Sequence, residues 1–130
     1  MTEPHVPRVV TSVLVEEDSQ SVTVTWGLGG PAAPDKPEFF GYGMYYYDPT
    51  GNGGKRFGVR FGESVTAWVF DNASATQANY VSDSVTASED AVVVHYRDAS
   101  LELAKIGTIA AYAHVEGRDE QLDIPVTLLR

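Results

Sequence analysis

Apolar and polar residues alternate with a period of two in several short segments of the chain, which is the pattern of half-buried β-strands. The clearest segment is 21–26, where apolar side chains alternate with serine and threonine. Residues 8–16 are rich in valine and threonine, and the polar residues 17–20 connect the two segments. This arrangement predicts a β-hairpin. The residues of its second strand that we expect to face a core are Val22, Val24 and Trp26.

Turn-forming residues divide the rest of the chain into further short strands. Residues 27–38 hold three glycines and three prolines, which predicts a long loop. Residues 98–105 predict at most one short helical turn. The remaining predicted strands are 39–47, 55–61, 65–70, 79–85, 91–96, 107–116 and 121–129.

Two parts of this pattern make sharper predictions. In residues 55–61 the alternation predicts that Phe57, Val59 and Phe61 are buried. The last two strands are predicted to pair across residues 117–120, with two apolar sets in register. The sets are Ile109, Ala111, Ala113 and Val115, facing Leu122, Ile124, Val126 and Leu128.

Eight or nine short strands with turn signals between them are typical of an antiparallel sandwich or barrel and not of βαβ units. We therefore predict an all-β fold, an antiparallel two-sheet β-sandwich. A length of 130 residues is that of one domain. We expect this domain to span residues 1–130, with residues 1–7 as a flexible tail.

The order of the segments resembles that of fibronectin type III and other immunoglobulin-like domains. The resemblance is carried by Ser21-Val22-Thr23-Val24-Thr25-Trp26, a loop of proline and glycine, Gly41-Tyr42-Gly43-Met44-Tyr45-Tyr46-Tyr47, and a closing hairpin that ends in Leu128. The chain exceeds the roughly 100 residues of such modules, so residues 63–89 would be an inserted strand and loop. A sugar-binding sandwich of the jelly-roll kind is nearly as similar. Such a resemblance implies a fold and says little about function.

The charge of the chain narrows the choice of partners. Eighteen acidic and nine basic residues give a formal charge of -9, which predicts that neither nucleic acid nor a membrane is a partner. Residues 61–96 hold five acidic residues and no lysine or arginine, so one edge is expected to be negative. The first residues lack the features of a secretory signal peptide, which predicts a cytoplasmic protein, or one incorporated into a larger assembly.

No residue pattern predicts catalysis, and we expect no cofactor and no metal. Residues 48–53 resemble the start of an EF-hand loop, but Val59 stands where a bidentate glutamate is required. His95 and His114 could share one face with Glu116 and bind a metal if their strands were neighbours, yet no close-spaced ligand motif supports this. The alternative is two solvated histidines. The Gly-x-Ser-x-Gly motif of serine hydrolases is absent.

The most unusual local feature is the aromatic segment 39–47, with six aromatic residues in nine positions. Alternation places Phe40, Tyr42, Met44 and Tyr46 on one face and Tyr45 and Tyr47 on the other. In one interpretation the first face lies in the core and the second packs under the loop at 27–37. In the other, Tyr45 and Tyr47, with Trp68 and Tyr112, form an exposed platform for a protein or a sugar.

Our first functional hypothesis is a non-catalytic protein-interaction or structural module that uses the aromatic strand face or a sheet edge. Its partner would be another protein or further copies of the chain. The second is a carbohydrate-binding module, in which aromatic rings stack on sugars and Asp48 and Asn52 accept hydroxyl bonds. An enzyme with a histidine and an acid is a third hypothesis. The candidate binding residues are Tyr45, Tyr47, Asp48, Asn52, Trp68 and Tyr112.

Overall fold

The computed structural model describes residues 7–31, 38–50, 53–99 and 108–129. These residues form eleven strands and a single 3₁₀ turn at Ser82–Ser84. The strands are β1 (Arg8–Glu17), β2 (Ser21–Pro31), β3 (Phe40–Tyr47), β4 (Gly54–Phe61), β5 (Val65–Asp71), β6 (Thr76–Tyr80), β7 (Val85–Ala87), β8 (Ala91–Arg97), β9 (Thr108–Val115), β10 (Arg118–Ile124) and β11 (Thr127–Leu129). Within the described part of the chain, no helix is long and apolar enough to cross a membrane.

The strands form two sheets that pack face to face, so the predicted all-β, two-sheet sandwich is confirmed. One sheet has five strands in the order β11-β1-β2-β8-β7, and the other has six in the order β10-β9-β3-β4-β5-β6. Neighbouring strands pair antiparallel, apart from β1 and β11, which are parallel. The predicted hairpin is present as β1 and β2, with Val15 opposite Val24.

The core lies between the sheets and follows the predicted alternation. Val22, Val24 and Trp26 are fully buried, and the set Phe57, Val59 and Phe61 is buried as predicted. Four residues of β3 are also buried, which confirms the prediction that they share the core-facing side of the aromatic segment. These four are Phe40, Tyr42, Met44 and Tyr46.

Two fully buried side chains of the five-stranded sheet, Trp26 and Tyr96, donate hydrogen bonds across the core to the six-stranded sheet. The indole Nε1–H of Trp26 donates to the carbonyl of Gly43 at 3.3 Å. The hydroxyl of Tyr96 donates to the carbonyl of Gly58 at 2.8 Å. Since both donors are fully buried, each large polar ring satisfies its polar atom inside the core.

The structure differs from the predicted strand limits in the middle of the chain. Strand β2 continues to Pro31, so residues 27–31 of the loop predicted at 27–38 belong to a strand. The single strand predicted at 79–85 is wrong. The chain instead forms β6, the 3₁₀ turn and β7, and the two strands lie in different sheets. Residues 61–96, which were predicted to form a negative edge, thus contain the passage of the chain from the six-stranded sheet to the five-stranded one.

The predicted register of the closing hairpin is also wrong. Strand β10 pairs with β9 through two register shifts, and Asp123 has a φ of 57°. Ile124 is buried opposite Ala111, but Leu122 is 59% exposed. Beyond Ile124 the chain crosses to the other sheet, where Leu128 lies opposite Val15. An unbroken two-strand pairing was expected because alternation alone does not reveal a bulge or a change of sheet.

The side chain of Gln121 on β10 is hydrogen-bonded to β1 of the other sheet, near the point where the chain crosses between the sheets. The Gln121 amide accepts from the backbone N–H of Val10 at 2.7 Å and donates to its carbonyl at 3.0 Å. The amide thus pairs with β1 as a neighbouring strand would. Residues 1–6 of the predicted tail 1–7 lie outside the described residues, while Pro7 is buried, and residues 100–105 of the helical turn predicted at 98–105 also lie outside them.

Candidate functional site

The outward-facing side of β9, β3, β4 and β5 gathers most of the predicted binding residues, and we call it the aromatic face. The strand registers place Tyr112, Gly43, Gly58 and Trp68 in one line across the four strands. The next line along the strands is Ala110, Tyr45, Arg56 and Phe70. The full set is Thr108, Ala110, Tyr112, His114, Gly41, Gly43, Tyr45, Tyr47, Gly54, Arg56, Gly58, Arg60, Thr66, Trp68 and Phe70.

The two central glycines make room for the two rings beside them. A methyl group on Gly43 would overlap the Tyr112 ring, and one on Gly58 would overlap the six-membered ring of Trp68. His114 lies over Gly41 in the same way. Each ring therefore rests on backbone, and the space above Gly41 and Gly43 is filled by side chains of the chain itself.

The tyrosines form a continuous cluster on one side of the glycine pair. The ring centroids of Tyr45 and Tyr47 are 5.4 Å apart, and those of Tyr45 and Tyr112 are 6.3 Å apart. All three side chains, and that of Trp68, are half-buried. The structure thus brings together four of the six predicted binding residues.

Asp48 forms hydrogen bonds within the turn that follows β3. The Asp48 carboxylate accepts from the backbone N–H of Thr50 at 3.0 Å and from its hydroxyl at 2.6 Å. This is the bonding of an aspartate that stabilises its own turn. Asn52 lies outside the described residues.

Burial sets the protonation of two groups on the aromatic face. It raises the pKa of the Tyr112 phenol, an effect that the Arg56 charge opposes and that Asp119 reinforces. Burial also lowers the pKa of His114, Asp119 opposes this, and Arg60 adds to it. The buried Nδ1 of His114 has no hydrogen-bond partner within the described chain. Tyr112 therefore keeps its proton at neutral pH.

The two strand histidines do not share a site, which excludes the metal site considered for neighbouring strands. His95 lies on β8 in the five-stranded sheet, where its Nδ1 is 3.0 Å from the hydroxyl of Thr23. His114 lies on β9 in the six-stranded sheet. Their chain neighbours point into the core, so the histidines occupy opposite outer faces of the sandwich. Among the described residues, no three potential ligand side chains are grouped for a metal.

A recess of about 610 Å³ lies at the end of the aromatic face where β4 turns into β5. The guanidinium of Arg60 is 4.4 Å from the centre of the Phe39 ring there. The lining residues are Glu38, Phe39, Arg60, Gly62, Glu63, Ser64 and Thr66. This end of the face is therefore polar and contains both signs of charge.

Sequence reasoning missed Arg56 and Phe70 as neighbours of the tyrosines. The alternation of Arg56, Gly58 and Arg60 showed that they share a face. It could not show that β4 lies beside β3, or that Arg56 stands opposite Tyr45. Strand order and register were the missing information.

Comparison with known proteins returned no match, whether with protein-family models, with curated proteins or with solved structures.

Proposed function

We propose that the chain is a non-catalytic binding module that contacts another protein through the aromatic face. The composition of this face supports the proposal. Strands β3, β4 and β9 contain no aspartate or glutamate, and the one acid of β5, Asp71, is in phase with the core residues Ala67 and Val69. In a chain with eighteen acidic residues, this is a marked local depletion. Aromatic residues and arginine without carboxylates are typical of the centre of protein interfaces.

The observation that carries the proposal is the line Tyr112, Gly43, Gly58 and Trp68. Both rings rest on glycine backbone of paired strands, so their positions are fixed before any partner binds. Side chains that are already ordered lose little conformational entropy on binding. A face built on strands is also more rigid than one built on loops.

The strand order supports an immunoglobulin-like classification as part of the same proposal. One sheet contains β1, β2, β8 and β7 in the order expected for strands A, B, E and D of that fold. The other contains β10, β9, β3, β4 and β5 in the order of strands G, F, C, C′ and C″, with β6 as an added edge strand. The aromatic face would then lie on strands F, C, C′ and C″.

Affinity capture from the native source, followed by mass spectrometry, tests the proposed surface. The bait is the full chain, and the test variant combines Tyr45→Ser with Tyr47→Ser. The matched control combines Val9→Ser with His95→Ser, two exposed positions of the other sheet. Capture of a specific partner is expected with the wild type and the control and not with the test variant. Equal capture by both folded variants would show that the partner uses another surface.

A carbohydrate-binding module is the second candidate, favoured by amide side chains beside the rings. Trp68 stands opposite Asn79 and Phe70 opposite Gln77, and both amides are exposed on β6. Rings that stack on sugars are commonly flanked by such hydrogen-bonding groups. Since Trp26 is fully buried, a ligand-dependent change in tryptophan fluorescence would report on Trp68. Unchanged fluorescence across a glycan panel would eliminate this candidate.

A further inference from the structure

We propose that the aromatic face binds acidic side chains of a protein partner, with the Arg56 guanidinium as the group that receives the carboxylate. The inference rests on the proposed function, because it gives the chemistry of the partner that the same face would recognise.

Arg56 lies within the aromatic face and not at its rim. It stands opposite Tyr45 on β3 and Phe70 on β5, and it is itself exposed. The Tyr112 phenol also lies within reach of its charge. An arginine at this position can offer a partner's carboxylate the planar set of N–H donors of its guanidinium.

The charge of Arg56 is not balanced within the described chain. Its side chain makes no hydrogen bond or ion pair with the described residues. Arg60, on the same strand face, lies over Phe39 in the recess that Glu38 and Glu63 also line. Glu38 and Glu63 thus lie beside Arg60, whereas the strands around Arg56 carry a single acid, Asp71, which is in phase with the core residues of β5.

The rings near Arg56 offer hydrogen-bond donors, and the carboxylate that acts on Tyr112, that of Asp119, comes from β10 on the far side of β9. The Tyr112 hydroxyl stays protonated, and the indole of Trp68 can only donate. Neither group has a hydrogen-bond partner among the described residues. A carboxylate complements this set, since it only accepts, and the planar guanidinium can bind both of its oxygens.

The shape of the face favours a protein as the source of the carboxylate. Sugar and small-ligand sites are usually concave. The recess of this molecule lies beside Arg60, at the end of the face, and Arg56 is not among its lining residues. A four-strand surface with a central arginine and several aromatic residues is suited to a protein surface that carries aspartate or glutamate.

Titration of the ¹⁵N-labelled full chain with defined probes, followed by NMR, tests this inference. The probes are a capped pentapeptide with two glutamates around a leucine, its glutamine counterpart, and trigalacturonate as a carboxylate on a sugar. We expect the glutamate peptide to shift the amide signals of Gly43, Gly58 and Arg56 saturably. It should bind about tenfold more tightly than the glutamine peptide, the ratio for one charge-assisted bond.

The variant Arg56→Gln is expected to abolish the preference for glutamate, and Arg97→Gln is the matched control. Arg97 is an exposed arginine of β8 in the other sheet. Equal binding of the two peptides, or an unchanged preference in R56Q, would overturn the inference. Tighter binding of trigalacturonate than of the glutamate peptide would overturn the inference that the bound carboxylate belongs to a protein. A natural partner that is lost with Y45S/Y47S but retained with R56Q would leave the proposed surface intact and reject its acidic ligand.

Discussion

At the scale of single residues, His114 shows that a polar ring on the outer face of a sheet can have one of its nitrogens buried. Its ring lies over Gly41 and is stacked near Tyr112, with centroids 6.2 Å apart. This position buries Nδ1 without a hydrogen-bond partner in the described chain. Protonation would add a charge to a ring that has already lost water, and the nearby Arg60 opposes it further.

We predict that His114 makes the protein less stable at mildly acidic pH. Because the folded state lowers the pKa of His114 below 6.5, the unfolded chain binds this proton more readily. Stability is therefore full above about pH 6.5 and is lost as the pH falls toward the lowered folded value. Thermal unfolding at about pH 7.5 and about pH 5.5 measures this loss.

The variants His114→Gln and His95→Gln separate this effect from the titration of other groups. H114Q should show a smaller fall in Tm between the two pH values than the wild type. H95Q, which changes an exposed histidine of the other sheet, should keep the wild-type fall. An identical fall in the wild type and H114Q would contradict the prediction.

At the scale of elements, alternation predicted which face of a strand a residue occupies. The pairing register between strands determines which residues are its neighbours on that face. Tyr45 and Tyr47 were correctly placed away from the core side of β3 from the sequence. The cover over Gly43, by contrast, comes from Tyr112 on a strand about seventy positions later in the chain. The loop at 27–37 was the expected cover, but its described part, residues 27–31, belongs to β2 in the other sheet. The sequence does not encode such long-range pairing in a form that periodicity can reveal.

The glycines of the strands provide a graded test of this packing. A methyl group at Gly41 would overlap the backbone carbonyl of Val59, the atoms nearest to one at Gly43 belong to the Tyr112 side chain, and one at Gly30 meets nothing within 4 Å. We predict that Gly41→Ala destabilises most and Gly30→Ala least. Gly43→Ala should cost about 1 kcal/mol, because a side-chain ring can move where a backbone cannot. Chemical denaturation of the three variants gives the order.

A double-mutant cycle identifies the ring as the cause at Gly43. With Tyr112→Ala in place, the cost of Gly43→Ala should fall close to zero, because the overlapping ring is gone. Equal costs in the two backgrounds would mean that strand geometry, and not the Tyr112 ring, requires glycine at this position.

At the scale of the whole molecule, the candidate site and the core meet at the same two residues. On the inner side, Trp26 and Tyr96 of the five-stranded sheet donate to the carbonyls of Gly43 and Gly58. On the outer side, Tyr112 and Trp68 cover the same glycines. The alternation along the chain predicted an all-β core and an unusual aromatic strand. The alignment of four rings on two glycines could be seen only once the packing of the two sheets was known.

Tyr96→Phe tests whether the core holds the aromatic face in place. The variant removes a fully buried hydroxyl and its bond to Gly58, so we expect a loss of about 1 kcal/mol of stability. Tyr80→Phe is the matched control, because its hydroxyl donates to the carbonyl of Arg97 at an exposed site and should cost less. Since Trp68 rests on Gly58, Y96F should also shift the NMR signal of the Trp68 indole, and Y80F should shift it less. A loss of stability without any change at Trp68 would mean that the hydroxyl stabilises the core alone, and that the outer rings keep their positions independently of it.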